Sequence, residues 1–444
     1  MFYNKLCSTL LTTINPKVVP LPPHINPNLF SLYSLRHLHP IHSPRYLSVS
    51  PHMAQLLLGE NNGCSLSNPL SFPSPHCCIS NNCYSEKEEA GSLGVPRPLC
   101  INDGSTRSER AWAYWKKLGE PKFIVAPMVD NSELPFRMLC RKYGASAAYT
   151  PMLHSRIFSE NGKYRRVEFT TCKEDRPLFA QFCANDPDTL LEAARMVEPY
   201  CDYVDINLGC PQRIAKRGNY GAFLMDNLPL VESLVKKLSL SLSVPVSCKI
   251  RIFPCLNDTL AYAKMLEDAG CSLLAVHGRT REQKESRSAR ADWNSIKAVK
   301  ETLSIPVIAN GNIRHLEDAH HCMEETGADG VLSAEALLEN PAIFAGFRTG
   351  EWRGYGGKEG GLDQADLVLE YLKLCRKYPV PWRMVISHVH KMLGEWFRLH
   401  PDVREELNAQ TNVTFEWLEN MVQGLKGRGT RLRLYLHIPE GCQE

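Results

Sequence analysis

The sequence predicts an α/β fold: a (β/α)8 TIM barrel followed by a small all-α C-terminal domain, with a poorly structured N-terminal extension. Three observations predict it. Eight short, near-continuously apolar runs recur between Phe123 and Ser333. Segments with apolar residues at helical spacing separate them. Composition also changes abruptly near residues 110 and 350.

The extension, 1–110, comes first. It holds 13 of the 30 prolines and 6 of the 17 cysteines. No Asp or Glu occurs between Met1 and Gly59, while Lys5, Lys17, Arg36 and Arg45 do. An acid-poor, Ser-containing, basic N-terminus resembles a plastid or mitochondrial transit peptide. A low-complexity stretch on a cytoplasmic protein, or one upstream of a start at Met53, is the alternative. Residues 60–110 are rich in Asn, Ser, Gly and Pro and show no period, so little fixed structure is expected.

The barrel is expected over 111–350. Its apolar runs are 123–126, 147–150, 178–182, 203–207, 246–250, 273–277, 307–310 and 330–333. Parallel strands covered on both faces need such runs, and eight β–α alternations suit a closed barrel. Between two of them, Leu260, Ala263, Met265, Leu266 and Ala269 keep a helical period. A doubly wound sheet would require a Gly-rich fingerprint after the first strand, and Ala126-Pro127-Met128-Val129-Asp130 is none. Residues 351–361, with the run Gly354 to Gly361, read as a flexible linker. In 362–444, three sets share helical faces. They are Leu367, Tyr371, Leu374 and Tyr378, then Trp382, Ile386, Val389, Leu393 and Trp396, then Phe415, Leu418, Val422 and Leu425.

Composition narrows the function. Hydrophobic residues at 43% and charged residues at 22% exclude a disordered or collagen-like chain. No apolar run approaches the roughly 20 residues of a membrane helix. The cysteines are odd in number and contain no CxxC pair, which argues against a zinc site and a secreted disulfide framework. No metal is expected, and the chain is read as a monomer. The net charge is only +3, so a nucleic-acid surface must come from local clusters. Three exist: Arg213, Lys216 and Arg217; Arg279, Arg281, Lys284, Arg287 and Arg290; and Lys426, Arg428, Arg431 and Arg433.

In such barrels the strand C-termini build the active site. Polar residues stand there on consecutive strands: Gln181, Asn207 with Cys210, Lys249 with Arg251, His277 with Arg279, and Asn310-Gly311-Asn312. Burying them all without a ligand would be costly. Cys210 sits in a turn fixed by Gly209 and Pro211, with Arg213, Lys216 and Arg217 close behind. Nearby cations favour the thiolate, which suits a nucleophile or a proton donor-acceptor. Cys201 and Cys248 read as packing. Lys249 either reaches water at the mouth, or stabilises an anion or forms a Schiff base. Asn310–Ile313 and Ser333-Ala334-Glu335 occupy the usual phosphate position, where backbone N–H groups hold an anion. The Glu335 charge is unhelpful there.

These motifs resemble the tRNA-dihydrouridine synthases. The resemblance rests on Ala126–Asp130 with Leu134–Arg137, on Asp205-Ile206-Asn207-Leu208-Gly209-Cys210-Pro211, and on Gly218–Leu224. Cys248–Arg251, His277–Thr280, Ala291–Trp293 and Ile308–Ile313 follow in order and spacing. The Tyr220–Phe223 and Ser333–Glu335 variants are most similar to the eukaryotic 16/17 subfamily. The resemblance implies FMN across the mouth, with NADPH or NADH as reductant and tRNA as partner. Pro127, Met128 and Val129 would line the flavin, and Gln181, Lys249 and His277 would meet its polar edge. Asn310, Gly311, Asn312, Ala334 and Glu335 would hold the phosphate, although many relatives carry arginine at the last position. Cys210 would be the general acid, and Asn207, Arg251, Arg279 and Arg281 would meet RNA. The alternatives are a dihydroorotate-dehydrogenase-like FMN barrel acting on a small pyrimidine and a silent RNA-binding barrel.

Overall fold

A computed structural model describes residues 104–284, 289–348, 358–428 and 433–436. The stretch read as a transit peptide, residues 351–357 of the expected linker, Arg287 and Arg431 lie outside the described residues.

The first described element is a helix, Arg107–Lys117, which begins inside the segment expected to lack structure. Thr106 and Glu109 cap it reciprocally and satisfy two N-terminal N–H groups. Its Trp115 is 1% exposed and packs among the inward side chains at the N-terminal end of the barrel.

The strands are β1 (Phe123–Val125), β2 (Ala147–Tyr149), β3 (Leu153–His154), β4 (Leu178–Cys183), β5 (Tyr203–Leu208), β6 (Val246–Arg251), β7 (Leu273–His277), β8 (Val307–Asn310) and β9 (Gly330–Ser333). All pairings among them are parallel, and β1 bonds both β2 and β9, which closes the barrel. The eight apolar runs are its eight strands. The short β3 is an addition on the edge of β4.

Period-2 alternation sorts the side chains into layers. Val204, Ile206 and Leu208 point outward into the helix-covered core, while Tyr203 points inward. At the lower end the inward layer is aromatic: Tyr149, Phe179 and Tyr203 stack at 4.5 Å and 4.7 Å. Truncating one of these rings to Ala would cost about 3–5 kcal/mol. Toward the C-terminal ends the same inward positions become polar. Neighbours pair in register there: Gln181 with Asp205, Asn207 with Lys249, Arg251 with His277, and His277 with Asn310.

Helices Gln364–Lys377, Trp382–Met392, Gly394–Leu399, Pro401–Ala409 and Phe415–Gly427 follow the barrel. Tyr371, Val389, Trp396, Leu418 and Val422 are buried as expected, whereas Trp382 is 41% exposed. The region is not purely helical. A small antiparallel sheet joins β10 (Phe347–Arg348), β11 (Lys358–Asp363) and β12 (Arg433–Leu436). Glycines weaken a strand in isolation, which is why Lys358–Gly361 reads as linker. Its partner strand lies some seventy residues away in sequence, beyond any local pattern. No helix among the described residues is long and apolar enough to cross a membrane.

Candidate active site at the barrel mouth

The turn after β5 carries Cys210 and is tied down on several sides. Asn207 Oδ1 accepts from the backbone N–H of Gly209 (3.2 Å) and of Cys210 (2.9 Å). The Cys210 carbonyl accepts from Ala222 N–H at 3.0 Å, and Arg251 Nε donates to the Gly209 carbonyl at 2.9 Å. Gly221 has φ 66°, and a Cβ there would stand 2.8 Å from the Cys210 carbonyl oxygen, so glycine is required behind the turn. Cys210 packs against a buried cluster of Met152, Cys183, Ala215 and Tyr220. Burial pushes the Cys210 thiol above its ordinary pKa, by more than the Gln212 backbone bond and the Arg251 and Lys249 charges pull it down. The expectation of a thiolate is thus reversed, because Arg213, Lys216 and Arg217 are exposed and act little on the sulfur. A protonated thiol is a proton donor.

Below the turn runs a chain of hydrogen bonds. Asn207 Nδ2 donates to Gln181 Oε1 (2.8 Å), Gln181 Nε2 to Asp205 Oδ2 (2.8 Å), and Ser247 Oγ to Asp205 Oδ1 (2.7 Å). Asp205 is fully buried, and burial raises its pKa to about 7 against the Gln181 and Ser247 bonds. Its carboxylate accepts from Gln181, and the Cys210 N–H donates to Asn207. The two ends therefore fix both amide orientations. Asp205 was not among the expected site residues. Its inward phase with Tyr203 and Asn207 on an otherwise apolar strand was the available signal.

Lys249 Nζ donates to Asn310 Oδ1 at 2.9 Å, and Asn310 Nδ2 to the Leu332 carbonyl at 3.0 Å. Burial, then the Arg251 charge, brings Lys249 down to about 8. Arg279 Nη1 lies 2.9 Å from His277 Nε2. A guanidinium only donates, so Nε2 accepts and the His277 proton sits on Nδ1. Burial and the Lys249, Arg251 and Arg279 charges keep His277 well below its usual pKa, hence neutral. Gly311 has φ 115°, and a Cβ there would fall 2.5 Å from Ala291 Cβ. Asn312 is also left-handed (φ 64°) and accepts from Arg279. Trp293 Nε1 donates to the Gly311 carbonyl at 3.1 Å. Ala334 and Glu335 open a short helix, Glu335–Glu339, and the Glu335 charge acts on Arg279. Arg314, absent from the expected set, is a further cation close to Arg279.

Two residues expected to meet RNA are buried at the mouth. Arg251 (6% exposed) and Arg279 (4% exposed) are buried and spend N–H groups on protein acceptors. Arg251 donates to the Gly209, Thr280 and Gln283 carbonyls, and Arg279 to the Ala289 carbonyl. Burying an arginine without such partners would be prohibitive. Arg281 bonds Asp226 at 2.7 Å and lies over the Phe223 ring. In the tail, Lys426 pairs with Asp366 and Arg428 with Asp402, acids that are distant in sequence. Arg213, Lys216, Arg217, Lys284 and Arg290 are exposed.

On the opposite rim, Pro127 and Met128 are half-buried and Val129 is 37% exposed. Ser132 Oγ accepts from Met128 N–H at 3.0 Å. Arg137, behind it, donates to the Ser132 carbonyl (2.6 Å) and to the Asp175 carboxylate (2.6 Å).

A family model described as "Dihydrouridine synthase (Dus)" matches residues 124–425. The chain belongs to the dihydrouridine synthase family. It is 45% identical over 322 residues to a "tRNA-dihydrouridine(16/17) synthase [NAD(P)(+)]-like" protein of Rattus norvegicus, covering 72% of this chain and 70% of that one. It is 46% identical over 325 residues to a "tRNA-dihydrouridine(16/17) synthase [NAD(P)(+)]" of Schizosaccharomyces pombe, covering 71% and 80%. A Homo sapiens "tRNA-dihydrouridine(20a/20b) synthase [NAD(P)+]-like" protein is 46% identical over 227 residues, covering 50% of this chain and 71% of that one. Similarity to the 16/17 relatives thus extends over more of this dihydrouridine synthase. Among the described residues no cluster of three or more His, Cys, Asp or Glu could hold a metal ion.

Proposed function

We propose that the protein reduces uridine to 5,6-dihydrouridine at positions 16 and 17 of the tRNA D-loop, using FMN and NADPH or NADH. The observation that carries this is a firmly held Cys210 thiol in the turn after β5, beside a polar ring of Gln181, Lys249, His277 and Asn310 at the ends of β4, β6, β7 and β8. The residues suit FMN. Gly311 keeps a left-handed turn packed closely against Ala291 and His277, which leaves its backbone at the strand end. Arg279 and Arg314 stand there with Glu335, whose attraction acts on Arg279 more than the Arg314 repulsion does, and the three together keep a positive charge that suits an anionic phosphate. Glu335 offsets part of that charge, so Asn310, Gly311, Asn312 and Ala334 serve the phosphate end mainly through backbone. The chemistry that bound FMN supplies is a hydride to uracil C6.

The chain's own residues do the rest. Cys210 Sγ gives its proton to C5, which balances the addition. Lys249 and Gln181 donate hydrogen bonds to the flavin's polar edge, where negative charge resides. Asn207 retains one Nδ2 hydrogen for a base carbonyl. Pro127, Met128 and Val129 form the apolar wall. Arg213, Lys216 and Arg217 sit one turn beyond Cys210 and contact phosphates of a tRNA whose uridine has swung into the mouth. The barrel holds FMN, and the helical region after residue 362 serves as an RNA platform.

Mass-spectrometric mapping of dihydrouridine in tRNA from cells lacking the protein tests this. Loss at 16 and 17, with other sites intact, is expected. Unchanged dihydrouridine at both positions overturns it.

A further inference from the structure

We propose that Arg383 is a positioning residue for the flavin wall, so that the helical region is a structural part of the cofactor site as well as an RNA platform. This rests on the flavin reading above. The wall residues Pro127, Met128 and Val129 lead directly into Asp130, Asn131 and Glu133. Asp130 has φ 58°, a left-handed conformation that a non-glycine residue adopts at a cost. Something must hold it there.

One face of helix Trp382–Met392 does so. Arg383 Nε and Nη2 donate to Asp130 Oδ1 at 3.1 Å and 2.9 Å, and Nη2 also reaches Glu168 at 2.6 Å. One turn on, Ser387 Oγ donates to Asn131 Oδ1 at 2.9 Å, and Lys391 Nζ to the same oxygen at 2.7 Å. His388 lies 3.0 Å from Glu133 Oε2, whose other oxygen accepts from Tyr371 at 2.8 Å. Positions 383, 387, 388 and 391 recur at helical spacing, so a single helix face grips three residues of one loop. Charged, forked hydrogen bonds are the strong ones, and the Arg383 fork is the contact that meets the strained residue. Glu168, after β3, ties the same guanidinium to the far side of the loop. A mouth wall whose position is set by another region transmits any shift of that region to the flavin.

The test uses holoenzyme and FMN. Dissociation of FMN on dilution is followed by its fluorescence in wild type, Arg383→Met, Arg383→Lys and Arg376→Met. Arg376 pairs with exposed Glu416 and Glu419 on the same helical region and does not touch the loop. Arg383→Met should weaken FMN binding about tenfold, roughly the worth of one charged hydrogen bond. Arg383→Lys should fall between, because an ammonium keeps the charge without the fork. Arg376→Met should match wild type. Equal FMN affinity in Arg383→Met and wild type overturns the proposal, and if that variant does not fold, an unshifted Arg383→Lys does the same. Amide exchange across residues 127–133, faster in the Arg383 variants, reads the clamp without flavin. It separates failure of the clamp from failure of the flavin reading.

Discussion

Asp175→Asn and Glu133→Gln each remove a buried carboxylate charge beneath the opening loop, yet they should differ in cost. Asp175 is fully buried and Arg137 is 1% exposed. The carboxylate accepts from Arg137 Nε (3.0 Å) and Nη2 (2.6 Å), from Arg141 Nε (3.1 Å) and from Thr171 Oγ1 (3.1 Å). Asparagine keeps one oxygen and leaves two guanidinium groups with a neutral partner. Arginine cannot shed its proton. Breaking such a pair costs about 3–5 kcal/mol. Glu133 is 4% exposed and faces His388 and Tyr371. Neither partner is a permanent cation like arginine, and a glutamine oxygen still accepts from one of them, so Glu133→Gln should cost about 1–2 kcal/mol, close to a lost hydrogen bond.

Thermal unfolding by calorimetry at pH 7 reads the difference. At about 2 °C per kcal/mol for a large domain, Asp175→Asn should fall by about 6–10 °C and Glu133→Gln by about 2–4 °C. Acid adds a second reading. Burial raises the pKa of Glu133, but His388 and the bonds from His388 and Tyr371 outweigh this, and its folded pKa ends below the ordinary glutamate value. Its contribution is therefore complete above the ordinary glutamate pKa and is lost as pH falls through the lowered one. The gap between wild type and Glu133→Gln should close in that acidic window. If Glu133→Gln proves the costlier change at pH 7, the reasoning from the permanent arginine charges around Asp175 is refuted.

The site makes three further predictions. Cys210→Ala should bind tRNA and FMN as wild type does but form no dihydrouridine; full activity on intact tRNA would remove the general-acid role. Gly311→Ala, which puts a Cβ 2.5 Å from Ala291 Cβ at φ 115°, should cost about 1–3 kcal/mol and yield colourless protein, and a normal flavin spectrum would remove this turn from the cofactor site. Replacing Arg213, Lys216 and Arg217 together by Ala should weaken tRNA binding and flatten its salt dependence by up to about three phosphate contacts. An unchanged salt slope would move the RNA path away from this helix.

The sequence by itself determined the barrel and the polar ring at its mouth. Both are local properties: a fully covered strand must be apolar throughout, and period 2 places Gln181, Asn207, Lys249, His277 and Asn310 on inward positions at consecutive strand ends. The family motifs followed from the same residues. Charge and partnership were decided by tertiary structure. Arg251 and Arg279 look like free cations in sequence, and folding buries them on backbone carbonyls. Lys426 and Arg428 gain acids from other helices. Burial, which no spacing encodes, keeps the Cys210 thiol protonated where neighbouring cations suggested a thiolate. Asp205 became a site residue only when Gln181 and Ser247 closed around it. The grip of Arg383, Ser387, His388 and Lys391 on Asp130, Asn131 and Glu133 joins residues about 250 positions apart in sequence. Such contacts depend on how the whole chain packs, and packing is the part of the fold that local pattern does not contain.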